Sequence, residues 1–153
     1  MLNKYRYIAI LSTFVFWNSS LNADTSKLDN VAACAGVVLG NGAIDFFMGD
    51  ELSFDDAADI AYSAYLSEVF NGEYSQEDIK ITDQILGGNL DKLIVAYNSE
   101  TFDSELYEEV VSCYRLLSLQ LLENAQIIIN NQKNWNELKK NSTETIKRLL
   151  RAG

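Results

Sequence analysis

SELYEEVVSCYRLLSLQLLENAQIIIN, residues 104–130, is the longest uninterrupted helical pattern in the chain. Leu106, Val110, Cys113, Leu117, Gln120, Asn124 and Ile128 follow one another at steps of three or four. Tyr107, Val111, Tyr114, Leu121 and Ala125 form a second, adjacent row. Two neighbouring apolar rows make a stripe wider than a coiled-coil seam needs. The pattern therefore predicts a helix contacted from more than one side, with the rest of the chain packed around it as in a bundle. Glu105, Glu108 and Glu109 fall in or near its first turn, where the helix dipole favours negative charge. Thr101 or Asp103 is placed to supply the N-cap. Tyr107, Tyr114 and Cys113 could instead line a ligand pocket, but aromatics at helical spacing are ordinarily core.

The same pattern extends in both directions. After Asn130 the seam continues through Asn131, Trp135, Leu138, Ser142, Ile146 and Leu149 without slipping. Asn130, Asn131 and Asn134 are poor helix formers, so a break or bend is expected near them. Upstream, a helix is expected from about Lys27 to Met48, weakened by Gly36, Gly40 and Gly42 unless these let another helix approach closely. Gly49–Leu52 reads as a turn. Ser53 then caps a second helix that ends at Asn71-Gly72. Ser75 starts a third, which Gly87-Gly88 should break, leaving Asn89 to cap a short segment to about Tyr97. The fold class is all-α: a small bundle of about five helices, without a convincing strand.

Residues 1–23 read as a secretory signal peptide. Lys4 and Arg6 precede an apolar run from Tyr7 to Trp17, and a short polar stretch ends at Ala23. The run is short for a bilayer span, so no stable membrane insertion is expected once it is removed. The domain organisation is then 1–23 as leader and 24–153 as a single helical domain, located in the periplasm or secreted. Val31–Cys34, VAAC, matches a lipoprotein box, but Asn18–Asn30 separates it from the apolar run. The alternative to lipidation is a Cys34–Cys113 disulfide. Both cysteines sit on apolar helix faces, and exported proteins meet an oxidising compartment.

The chain has no histidine, which excludes Ser-His-Asp and Cys-His catalysis and removes the commonest transition-metal ligand. Asp45, Asp50, Glu51, Asp55 and Asp56 do not match a calcium-loop pattern. No metal or cofactor is expected. The sequence LGNGA, residues 39–43, lacks the Lys-Ser/Thr of a phosphate loop and any preceding strand.

The formal charge of −10 argues against nucleic acid as a partner. The charge is also uneven. Residues 24–126 hold 20 acids and four cations, a net of −16, whereas residues 127–153 hold six cations and two acids, a net of +4. An acidic body carries a basic tail. The expected function is a non-catalytic interaction factor of inhibitor, immunity or envelope-assembly type. Its partner would be a protein with a basic surface, or a second copy of this chain. Tyr62, Tyr65, Phe70 and Tyr74 cluster near the end of the second helix as a candidate aromatic binding surface.

Two alternatives use the same acids differently. In outline the mature chain is similar to small periplasmic acid-stress chaperones, which are helical, exported and carry one disulfide. That resemblance implies an acid-responsive holdase, although the cysteines here lie far apart in sequence. A carboxylate enzyme would have to draw on Asp45, Asp55, Asp56 and Asp59.

Overall fold

The computed structural model describes residues 25–153, and the leader expected at 1–23 lies outside them. Five helices follow one another: α1 (Thr25–Phe47), α2 (Glu51–Asn71), α3 (Gln76–Asn98), α4 (Ser104–Glu123) and α5 (Ala125–Ala152). No strand occurs among the described residues. The fold is the all-α bundle that the periodicity predicts.

The central element is α1, not α4: α2, α3 and α4 pack on α1, and α5 packs on α2. Leu28, Val31, Ala35, Val38, Leu39, Ala43 and Ile44 are all buried, and they lie all round the helix. α4 contributes only Val110, Cys113, Leu117 and Gln120 to the interior. The reason is side-chain size. A Cβ on Gly36 would sit 2.1 Å from the Leu86 carbonyl oxygen, and one on Gly40 2.7 Å from the Leu93 side chain. One on Gly42 would sit 2.7 Å from Ala57. The missing side chains let α3 and α2 close on α1 from two directions, and α4 covers what remains. α1 is also long and apolar enough to cross a membrane by length and composition. In the bundle its apolar side chains are spent on the core.

Glycine in a helix costs about 1 kcal/mol relative to alanine through propensity alone. At Gly36 the packing term is larger, because overpacking costs up to about 3 kcal/mol and the obstacle is backbone. Gly36→Ala is therefore expected to destabilise by about 1–2 kcal/mol net in denaturant titration. Gly88 lies in the same bundle with open space beyond it. Gly88→Ala should show the propensity term unopposed and stabilise by about 1 kcal/mol.

Three expected boundaries are corrected. Gly87-Gly88 does not break α3, because Leu86, Leu90, Leu93 and Ile94 are buried and their packing outweighs two glycine penalties. Asn89 starts no new segment; its side chain donates back to the Ile85 carbonyl at 2.9 Å. Ser53 does not cap α2. Asp50 does, accepting from the Ser53 N–H at 2.9 Å, while the Ser53 hydroxyl turns to Asp45.

The break between the last two helices falls at Asn124, not at Asn130–Asn134. Asn124 is buried, and its amide donates to Ser67 Oγ on α2. One turn earlier, Gln120 donates to the buried Glu68 carboxylate. These bonds pin the end of α4 to α2, and the chain must turn there. Asn130, Asn131 and Asn134 lie inside α5, where Asn131 donates to the Ile127 carbonyl and Asn130 accepts from Gln126.

The remaining caps follow the sequence. Ser75 and Asp78 form a capping box on α3, and Asp103 accepts from the Glu105 and Leu106 N–H groups to cap α4.

Candidate interaction surface

A disulfide joins Cys34 on α1 to Cys113 on α4, with Cα atoms 4.8 Å apart across 79 positions of sequence. It holds α4 against the core helix. The basic tail is used next. Along α2, Glu51, Asp55 and Asp59 recur every four residues and so share one face. Arg151, Lys147 and Lys139 of α5 reach them at 2.8, 2.6 and 2.6 Å. Arg151 also lies over the Phe46 ring, and Lys139 bonds Ser63. The charge asymmetry of the sequence is thus partly internal. Asp55 and Asp59 face cations rather than each other, and Asp45 accepts from Ser53.

The four aromatic residues near the end of α2 do not form one surface. Tyr62 and Tyr65 are core residues. The Tyr65 hydroxyl donates to Asp83 at 2.7 Å and lies 2.8 Å from Thr82 Oγ1, both on α3. Burial, followed by the Asp83 carboxylate, pushes both tyrosine hydroxyls upward in pKa. Phe70 is half-covered by Trp135 of α5, at a centroid distance of 5.0 Å. Tyr74 folds toward Glu68 and donates to it at 2.7 Å. Glu68 also meets Lys27, which in turn reaches Glu123. Burial lowers the Lys27 pKa, but the two carboxylates outweigh it and leave it raised. This polar cluster, centred on the buried Glu68, joins α1, α2 and α4.

A different surface lies at the opposite end of the bundle. Successive helices alternate in direction, so the C-terminal ends of α1 and α3 and the N-terminal ends of α2 and α4 come together. Phe47 and Tyr97 stack there with ring centroids 6.4 Å apart. Both stay over a third exposed, while Met48, Leu52 and Tyr107 are 64%, 77% and 61% exposed. Tyr107 lies two turns beyond Tyr114 on the same face of α4. The Tyr114 hydroxyl sits beside Asn41 with Asp45 and Asp56 near it, and burial raises its pKa.

Acids surround these apolar side chains. Asp50 and Asp103 are helix caps, Glu51 opens α2, and Glu100 and Glu105 flank the α3–α4 turn. Two cations pair with acids near this end: Arg151 with Glu51, and Lys92 of α3 with Glu109 of α4. Glu100 holds a left-handed φ of 56°, a conformation that costs a side-chain-bearing residue about 1 kcal/mol. Gly49, at the neighbouring turn, takes its positive φ without that penalty. Among the described residues no three His, Cys, Asp or Glu side chains converge as metal ligands.

No protein family, characterised protein or solved structure matches this chain. Sequence periodicity placed Tyr107 in an apolar row and so concealed this surface. The signal that points to it is positional. Each of these residues lies within one helical turn or so of a chain reversal, beside an acidic cap.

Proposed function

We propose that this chain is an exported, non-catalytic interaction factor whose acidic bundle end binds a protein with a basic surface. The observation that carries the proposal is the placement of exposed Met48, Leu52, Tyr97 and Tyr107 at one end of the bundle, beside the acids Asp50, Glu100, Asp103 and Glu105. Aromatic and apolar anchors supply contact energy, while surrounding like charges steer and select an oppositely charged partner. Export is supported by the apolar N-terminal stretch and the disulfide.

The test is a binding measurement against basic envelope proteins at pH 7. Affinity should fall steeply with salt, because the attraction between exposed charges is screened. Tyr107→Ala, or charge reversal of Glu105 with Glu108, should weaken binding at least tenfold without changing the melting temperature. Binding that ignores both salt and these substitutions would remove the assignment.

A second reading, an acid-responsive holdase, rests on the α2–α5 ladder. Each of its three links uses a carboxylate. Loosening of the ladder in acid would uncover the α2 face beneath α5. Suppression of client aggregation at low pH, with none at pH 7, is the outcome that favours this reading over the first.

A further inference from the structure

α4 and α5 are separated by one residue. Asn124 is the C-cap of α4 and the N-cap of α5, and it makes no side-chain cap bond to α5. Its amide is bonded to Ser67 instead. No glycine or proline interrupts residues 104–152, and the apolar seam keeps its period across the joint. α5 packs chiefly on α2, and the covalent staple to the core is on α4. The joint also carries apolar side chains that the fold leaves open. Leu119, Leu122 and Ile129 are 56%, 75% and 65% exposed. Their spacing of three and seven places them in one row when residues 104–152 form a continuous helix. In the folded chain the turn at Asn124 interrupts that row.

We propose that α5 exchanges between two copies of this chain, with α4 and α5 straightening at Asn124 into one helix. Each α5 then docks on the partner's α2. The groove already accepts this helix, since Lys139, Lys147 and Arg151 meet Asp59, Asp55 and Glu51 in order and with opposite sign. Exchange restores those pairs in a closed two-fold dimer, for which swapping an identical element is a low-cost route. A very short hinge favours it. The two straightened helices run past each other at the joint, and the row Leu119–Leu122–Ile129 supplies the new contact.

The test is light-scattering mass after refolding the purified chain at high concentration with its disulfide intact. A dimer fraction that rises with refolding concentration is expected. Gln126→Pro should reduce it at least fivefold. In the first turn of α5 proline is tolerated, but in a continuous helix its ring meets the Leu122 carbonyl. Leu122→Gln with Ile129→Gln changes only exposed side chains and should reduce the dimer similarly, which keeps the test alive if the proline variant fails to fold. A chain that stays monomeric at every concentration overturns the proposal. So does a dimer that survives either variant, because it would form without straightening the joint or burying this row.

Discussion

Replacing both Cys34 and Cys113 with alanine is expected to cost about 4 kcal/mol and to lower the melting temperature by roughly 15 °C. The bond closes a loop whose ends are 79 positions apart in sequence. Constraining so long a loop removes much of the unfolded chain's freedom, and the entropy of closure sets the estimate. The native-state term is smaller. Cys113 is buried against α1, and trimming one sulfur leaves a gap worth about 1 kcal/mol or less. The effect should concentrate on α4, because that helix buries only four residues of its own. Hydrogen exchange in the reduced or alanine form should therefore quicken first along Ser104–Glu123, with α1 and α3 still protected. A loss below about 1 kcal/mol would mean that helix packing alone holds α4 to the core.

The same imbalance explains how much of the fold could be read beforehand. Helix existence follows from period, and the caps at Ser75 and Asp103 follow from local chemistry; neither depends on distant residues. The identity of the core helix does not follow from period. The stretch 104–130 has the most regular apolar rows, yet Tyr107, Val111, Leu119 and Leu122 in it are exposed. α1 looked weaker because of its glycines, and those glycines are what admit two neighbours. Whether a glycine breaks a helix or seats one depends on what lies opposite, as Gly87-Gly88 and Gly36 both illustrate. The turn at Asn124 likewise depends on Ser67 and Glu68, more than fifty residues away. The Cys34–Cys113 pairing was legible because only two cysteines exist. The apolar bundle end was not, because it is assembled from two chain reversals, after α1 and after α3, that are distant from each other in sequence.

Asp83→Asn is expected to stabilise the protein at pH 7 by about 2 kcal/mol. Asp83 is buried on α3, facing Tyr62 and Tyr65 of α2, and among the described residues no cation pairs with it. Burial pushes its carboxyl up to about 6 from an ordinary 3.8, even though the hydrogen bond from Tyr65 pulls the other way. A raised carboxyl pKa means that the folded state binds the proton more tightly than the unfolded state. The associated stability is then fully present below pH 3.8 and is lost as pH rises through about 6. A difference of about two units corresponds to about 3 kcal/mol lost by pH 7. Asparagine keeps the acceptor for Tyr65 and removes the charge. It also puts an N–H where the partnerless Oδ2 now lies, which returns about 1 kcal/mol of that gain. The advantage of the variant should shrink as pH falls and vanish near pH 4, where Asp83 itself is neutral. In the wild type, stability should accordingly rise between pH 7 and pH 5 as Asp83 takes up its proton. Denaturant titrations of both proteins at pH 7, 5.5 and 4 measure this. A constant difference between them across that range would show that Asp83 is not titrating in the folded protein. A holdase that loosens in acid would have to do so through the ladder, against the stabilisation that Asp83 gains on protonation.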